Sequence, residues 1–197
     1  LVGCSSEVGA VAEVRPGTVS VALDALARLE GLETISLPAS VREIETRRWY
    51  EPDSFAQLQA FTVAEDNPVF SSYGGILYQG ESLWACPKNY PEKLVLVKGG
   101  TKEILPGAFC QCNQIETIQL AGGLESIRAG AISSCRSLSR LQLPLSLTLF
   151  EEGAIRYCYS LGGLSVPGAN RQYVVENGLL MDKARETLLL AVPDGRT

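Results

Sequence analysis

Apolar residues recur along the chain in columns that are 23 residues apart. The triplets Gly107-Ala108-Phe109, Gly130-Ala131-Ile132 and Gly153-Ala154-Ile155 begin at positions 107, 130 and 153. The other columns that keep this step are Cys112, Cys135 and Cys158; Ile115, Leu138 and Leu161; Ile118, Leu141 and Leu164; Leu120, Leu143 and Val166; and Ile104, Ile127, Phe150 and Tyr173. A fixed period of this length predicts a stacked architecture, in which each unit buries its apolar side against the next.

Each unit contains a segment in which apolar and polar residues alternate, as at Leu141 and Leu143. Alternation is the side-chain period of a β-strand. We therefore expect one short parallel strand in each repeat, with the Gly-Ala-Phe/Ile segment forming a turn or a short helix on the opposite side. The predicted fold is an α/β repeat solenoid, a right-handed coil built from repeats of about 23 residues.

The same pattern extends to the first half of the chain, where Leu32, Ile35 and Leu37 match Ile115, Ile118 and Leu120 at an offset of 83. A longer duplication relates residues 55–75 to residues 158–178 at an offset of 103. Both copies continue as two apolar runs around a polar turn, which predicts a β-hairpin. We expect a single domain over 1–197, with regular repeats at about 22–63 and 104–166 and hairpin inserts at about 64–100 and 167–197.

At these residues the chain resembles the BspA-like leucine-rich repeat family, whose units follow I-x-x-G-A-F-x-x-C-x-x-L-x-x-I-x-L-P. Residues 67–78 resemble the insert of that family, N-P-x-F-S-S-x-D-G-V-L-Y, with Gly74 in the place of the Asp. The resemblance covers roughly residues 15–197. It implies a leucine-rich repeat solenoid without catalytic residues, of a kind typical of microbial secreted or cell-surface proteins that act in adhesion and protein recognition.

Composition argues against several function classes. The chain has no histidine, which removes the commonest general base and metal ligand, so we expect no enzyme, cofactor or metal site. A polysaccharide-active enzyme that uses carboxylates or lysine is an unfavoured alternative. The net charge is -5 without a clustered basic face, so we expect no nucleic acid partner. No apolar run is long enough to cross a membrane.

The cysteines and glutamates fit structural roles better than chemical ones. Cys112, Cys135 and Cys158 share one repeat column, which predicts a ladder of small buried side chains with free thiols. The pair Cys110 and Cys112 lacks the second pair or the histidines that a zinc site needs. The sequence does not assign roles to Cys4, Cys86 and Cys110. Glutamates such as Glu116, Glu125, Glu151 and Glu152 are expected on the surface.

The outward face of the predicted sheet is the main candidate site. Positions that flank the central apolar residue of each strand point away from the core, because strand side chains alternate between faces. These candidate binding residues are Thr34, Ser36, Thr62, Thr117, Gln119, Arg140, Gln142 and Ser165. Aromatic residues in the irregular segments, Trp49, Tyr50 and Trp84, are candidate anchors, although packing over the insert is the favoured explanation for them.

These observations predict a non-catalytic module of a secreted or cell-surface protein that binds a protein or a glycan. A structural spacer in a larger surface protein is the alternative. Leu1-Val2-Gly3-Cys4 resembles a lipoprotein box, but Leu1 and Cys4 also fit the columns of a preceding repeat, followed by Val8 and Val11. We favour a fragment of a longer array over a lipid anchor at Cys4.

Overall fold

The computed structural model describes residues 3–4, 10–27, 29–46, 49, 51 and 53–192. The chain winds as a β-solenoid of about seven turns with parallel stacked strands. In chain order the strands are β1 (Gly3–Cys4), β2 (Ala10–Glu13), β3 (Ser20–Ala22), β4 (Leu32–Leu37), β5 (Glu43–Glu45), β6 (Ala60–Val63), β7 (Phe70–Tyr73), β8 (Ile76–Gln79), β9 (Ser82–Ala85), β10 (Leu94–Leu96), β11 (Glu103–Ile104), β12 (Phe109–Cys110), β13 (Thr117–Gln119), β14 (Ser126–Ile127), β15 (Ile132–Ser133), β16 (Arg140–Gln142), β17 (Leu149–Phe150), β18 (Ile155–Arg156), β19 (Gly163–Ser165), β20 (Tyr173–Glu176), β21 (Leu179–Asp182) and β22 (Leu188–Ala191).

Three sheets enclose the core of the regular repeats. The front sheet has the order β10-β13-β16-β19, the back sheet has the order β12-β15-β18, and the lateral sheet has the order β17-β14-β11-β9-β8-β7. The front strands pair in parallel at the 23-residue step, so that Ile118 lies beside Leu141 and Leu141 beside Leu164. Each regular turn therefore contributes three short strands rather than the single strand that we predicted.

The α/β description of the fold is not confirmed, because no α-helix occurs in the described residues. A three-residue 3₁₀-helix at Leu23–Ala25 is the helical element among them. The Gly-Ala-Phe/Ile segments form the turn that was one of the two predicted alternatives, and their last residue begins a strand. The N–H of Ala108 donates to the carbonyl of Leu105 at 3.1 Å within the turn, whereas the N–H of Phe109 donates to the carbonyl of Ala131 in the next turn at 2.8 Å. The N–H of Phe109 is thereby unable to form the i to i−4 bond of a helix.

One further turn precedes the repeats that we recognised in the second half. Strand β10 pairs with β13 in register, and Val95 lies beside Ile118. Val95 and Val97 are buried. We predicted these residues as part of the first insert, although Val95 and Val97 stand 23 residues before Ile118 and Leu120.

The first turn differs in register from our expectation. Strand β2 pairs in parallel with β4, and a β-bulge between Ala10 and Val11 places Ala12 beside Ile35. Ala12 is buried, whereas Val11 is 41% exposed. The extra residue of the bulge moves the core position by one, so the assignment of Val11 to the core column was wrong.

The cysteine ladder is confirmed. Cys112 and Cys135 are fully buried, and Cys158 is partly buried against the same core. The Cys135 thiol donates to the carbonyl of Phe109 at 3.4 Å. Its hydrogen bond with Cys112 and its burial raise the pKa of Cys135 well above the ordinary value, which keeps this thiol protonated. Cys86 and Cys110 are also buried free thiols.

Each insert is a three-stranded antiparallel meander, β7-β8-β9 in the first copy and β20-β21-β22 in the second. Both central residues of each hairpin turn, Gly74-Gly75 and Asn177-Gly178, have positive φ values. A turn of this type has a backbone twist that matches the twist of the two flanking strands. In the first copy β9 also pairs in parallel with β11. This meander therefore extends the lateral sheet.

Candidate binding groove on the front sheet

The outward face of the front sheet carries two rows of side chains. Leu141 and its neighbours in the central column point inward and are buried. The outward residues flank this column because side chains alternate along a strand. One row is Leu94, Thr117, Arg140 and Gly163, and the other is Leu96, Gln119, Gln142 and Ser165.

A groove of about 810 Å³ lies over this face. It follows β13, β16, β19 and the turns after them. Five of the candidate residues line it together: Thr117, Gln119, Arg140, Gln142 and Ser165. The groove thus collects side-chain amides, hydroxyls and one guanidinium on neighbouring strands.

The other three candidates belong to a different sheet. Thr34 and Ser36 lie on β4 and Thr62 lies on β6, in the sheet with the order β1-β2-β4-β6. The hairpin turn of the first insert separates this sheet from the front sheet, because the N–H of Phe61 donates to the carbonyl of Gly75 at 2.8 Å. We predicted all eight residues on one face, whereas the structure divides them between two sheets.

Arg140 is the only formally charged residue among those that line the groove. Its aliphatic stem lies against β19 because position 163 is a glycine: a Cβ atom there would stand 3.0 Å from Cγ of Arg140. Among the described residues no carboxylate lies within ion-pair distance of Arg140. The guanidinium is therefore held over the sheet without an anionic partner there.

Three other cations of the regular turns are paired between turns, whereas Arg136 and Arg156, like Arg140, make no ion pair with a described residue. The ammonium of Lys93 lies 2.7 Å from the Glu116 carboxylate, and that of Lys102 lies 2.6 Å from Glu125. Arg128 contacts both Glu103 and Glu151. These pairs place the glutamates on the surface, as expected, and of the three unpaired arginines only Arg140 lines the groove.

Apolar residues border the end of the groove at the turns that follow the strands. Leu145 is 55% exposed, and Leu120, Pro144 and Pro167 line the groove beside it. Leu145 was missed because it lies two positions beyond Leu143, the last apolar column of the repeat, and has a glycine at each 23-residue step from it. Leu94 and Leu96 were missed with their repeat; they are 47% and 48% exposed on β10.

The aromatic candidates do not share this groove. Trp49 is buried among Phe55, Phe61 and Trp84, with ring centroids 5.4 Å, 6.0 Å and 6.1 Å away. Its indole N–H donates to the carbonyl of Gly107 at 3.0 Å. Trp49 is thus a core residue and is not accessible as an anchor.

Trp84 is half-buried and lines a smaller cleft of about 410 Å³. Tyr50 lies outside the described residues, as does the Cys4 side chain on which the lipid-anchor alternative depends. No group of three or more Cys, Asp or Glu side chains in the described part could hold a metal ion. In the same part, no helix has the length and apolar character that a membrane span requires.

The stacked turns, the three sheets and the apolar columns define a leucine-rich repeat solenoid. Residues 92–176 match the family description "BspA type Leucine rich repeat region", in six copies. This confirms the resemblance for residues 92–176, which consist of BspA-type leucine-rich repeats. Repeats of this type point to a binding or structural module. A search of curated proteins found no match.

Solved structures share the fold at low sequence identity. A leucine-rich repeat protein from Eubacterium ventriosum aligns with a TM-score of 0.64 and 17% identity over 78% of this chain and 41% of its own. The pneumococcal vaccine antigen PcpA aligns with a TM-score of 0.58 and 21% identity over 78% and 43% of the two chains. A leucine-rich cell surface protein from Faecalibacterium prausnitzii gives 0.51 and 15% over 82% and 54%. The chain spans between about two-fifths and about half of these proteins.

Proposed function

We propose that the chain is a non-catalytic binding module of a secreted or cell-surface protein, and that the groove on the front sheet binds a protein or a glycan ligand. The observation that carries this proposal is the convergence of Thr117, Gln119, Arg140, Gln142 and Ser165 in one open groove of about 810 Å³. Amide and hydroxyl groups can donate and accept hydrogen bonds, which suits recognition of either class of ligand.

The structural relatives support the proposed location. Two of them are described as a vaccine antigen and as a cell surface protein. A bacterial surface protein that adheres to other molecules needs an accessible face of this kind, and the groove is open to solvent. We propose the same location and an adhesive role for the protein that contains this chain.

The groove chemistry favours binding over catalysis. Its lining contains no Asp, Glu, Lys, Cys or Tyr. The hydroxyls of Thr117 and Ser165 therefore have no general base beside them in the groove, and a nucleophilic mechanism needs such a partner. Arg140 can hold an anion but cannot act as a base, because its guanidinium stays protonated.

The test is a screen of the purified chain on glycan arrays and on arrays of proteins from cell surfaces and extracellular matrix. The double variant Gln119→Ala/Gln142→Ala should weaken binding of any ligand that is found by tenfold or more, because two groove amides are lost. The matched control is Thr34→Ala/Ser36→Ala on the other sheet, which should bind like the natural chain. If the chain binds nothing on either array, the alternative function, a structural spacer in a larger surface protein, is favoured instead.

A further inference from the structure

The groove extends from the strands into the turns that follow them. Its lining follows residues 117–122, 140–145 and 163–167 on three adjacent repeats. Strand β16 ends at Gln142 and a turn begins at Leu145, so residues 140–145 span less than the roughly 16 Å of five extended steps, against about 10 Å for two strand spacings across the sheet. A chain-like ligand that contacts both the strands and the turns therefore runs parallel to the strands.

The chemical character of the groove changes along this direction. Arg140 supplies a positive charge where β16 begins. Gln119 and Gln142 lie side by side at the ends of β13 and β16, and both are exposed. Leu145 and Pro167 make the far end apolar. The groove thus presents a cation, a pair of amides and an apolar shelf in that order.

We propose that the groove binds an extended acidic polypeptide segment, with a ligand carboxylate on Arg140 and a ligand apolar side chain on the shelf of Leu145 and Pro167. This inference rests on the proposed function and names its partner class. In an extended chain, residues i, i+2 and i+4 face the same side, and i to i+4 spans about 13 Å. An acidic residue and an apolar residue four positions apart match the two ends of the groove.

The middle of the ligand would meet the two glutamine amides. Each amide offers a donor and an acceptor, which is what a peptide backbone requires. Arg140 can receive the carboxylate through two parallel N–H donors, a charge-assisted arrangement that is stronger than a neutral hydrogen bond. A neutral glycan would leave this guanidinium without an anionic partner, so charge complementarity favours the acidic peptide.

Gly163 is a positioning residue in this proposal. The Arg140 stem occupies the space that a side chain at position 163 would take, since a Cβ there would stand 3.0 Å from Cγ of Arg140 and 3.3 Å from the carbonyl oxygen of Ser139. The substitution Gly163→Ala should displace the guanidinium. It should weaken binding of the acidic peptide while leaving an uncharged analogue of that peptide unaffected.

The experiment is selection of a displayed library of random linear heptapeptides on the whole immobilised chain. We expect enriched sequences to carry Asp or Glu four positions from Leu, Ile, Val or Phe. The most enriched peptide is then synthesised in its Glu form and its Gln form. The natural chain should bind the Glu form about tenfold more tightly, the difference expected for one charge-assisted contact.

Variants assign this preference to the groove. Arg140→Gln should abolish the difference between the Glu and Gln peptides, whereas Arg140→Lys should restore part of it because the positive charge returns. Arg136→Gln is the matched control, since Arg136 is exposed near β16 and does not line the groove. It should keep the full preference. Circular dichroism of each variant establishes that the solenoid is folded.

Three results would overturn the proposal: a library that yields no enriched sequence, enrichment without an acidic residue, or a Glu preference that survives Arg140→Gln. A failure of the acidic-peptide proposal can be distinguished from a failure of the proposed function. If an array ligand binds and is lost in Gln119→Ala/Gln142→Ala while the peptides fail, the groove is a binding site for another ligand class. If neither the arrays nor the library yields a ligand, both proposals are refuted.

Discussion

One buried asparagine fixes the start of each insert. The Asn170 amide donates to the carbonyls of Leu145 and Leu147, at 3.1 Å each, and its oxygen accepts the N–H of Tyr173 at 2.9 Å. Asn67 bonds in the same way to the turn before the first insert. One side chain therefore ties the end of a regular turn to the first strand of the meander, which explains the asparagine in both copies.

Asn170→Ala should lower the free energy of unfolding by about 3 kcal/mol, because buried backbone groups lose their partners. Urea denaturation followed by circular dichroism measures the change. Asn113→Ala is the matched control: Asn113 is exposed and accepts one bond from the N–H of Arg136. It should cost less than about 1 kcal/mol. Equal urea midpoints for Asn170→Ala and the natural chain would contradict the stabilising role of Asn170.

A second residue-scale feature is a stacked column with positive φ. Gln111, Ser134 and Tyr157 have φ values of 60°, 56° and 57°. This conformation is unfavourable for residues with a Cβ, most of all for β-branched ones. Ser134→Val should destabilise the solenoid by about 1–2 kcal/mol, whereas Ser134→Gly should be neutral or slightly stabilising. Thermal unfolding of both variants checks the order, and the reverse order would refute the strain argument.

At the scale of elements, the first hairpin turn distinguishes its two glycines. A Cβ at Gly74, where φ is 57°, would meet the Tyr90 hydroxyl at 3.5 Å, an ordinary contact; at Gly75, where φ is 79°, it would lie 3.3 Å from Cβ of Ala60. The second hairpin has Asn177 at the position of Gly74. Gly74→Asn should therefore be tolerated and stabilise by up to about 1 kcal/mol.

Gly75→Ala should instead destabilise by about 1–2 kcal/mol, since it combines unfavourable φ with a close contact to β6. Chemical denaturation of the two variants measures both changes. If Gly75→Ala is as stable as Gly74→Asn, the turn does not pack against β6 as the structure has it.

The sequence predicted the elements that have a strong period. The front strands, the cysteine ladder and the duplicated hairpins follow from apolar columns at a fixed step. The lateral and back strands could not be predicted from the sequence, because two-residue strands such as β12 are too short to show an alternation of apolar and polar residues. Strand β10 was missed because the insert shifts its distance from the preceding repeat. The candidate residues are divided between two sheets because Gly75 lies beside β6. This contact joins residues that are distant in sequence, so no local pattern encodes it.

At the scale of the whole molecule, ion pairs tie successive turns together. Glu103 accepts hydrogen bonds from Ser82 and Ser126 at 3.2 Å and 3.3 Å, and it also pairs with Arg128. It thus joins the first meander to two regular turns. Partial burial acts to raise the pKa of Glu103, but the hydrogen bonds from Arg128 and the two serines outweigh burial and lower the pKa below its ordinary value.

This lowered pKa sets the direction of a pH dependence. The unfolded chain binds the proton of Glu103 more readily than the folded chain, so the stabilisation is complete above the ordinary pKa of 4.5 and is lost as the pH falls through the lower folded value. Glu151 adds to the same trend, because bonds from the Ala129 N–H and from Arg128 lower its pKa. The melting temperature should therefore fall as the pH is lowered from about 5 to 3.

Glu103→Gln isolates the contribution of this carboxylate, because glutamine keeps the shape but does not titrate. The variant should melt below the natural chain at pH 7, and the difference should shrink toward pH 3, where Glu103 becomes protonated in the natural chain as well. Glu152→Gln is the control: Glu152 is exposed and makes no ion pair with a described residue, so its variant should follow the natural chain at every pH. A Glu103→Gln difference that is constant from pH 7 to 3 would mean that the inter-turn network stabilises the solenoid by shape alone and not by charge.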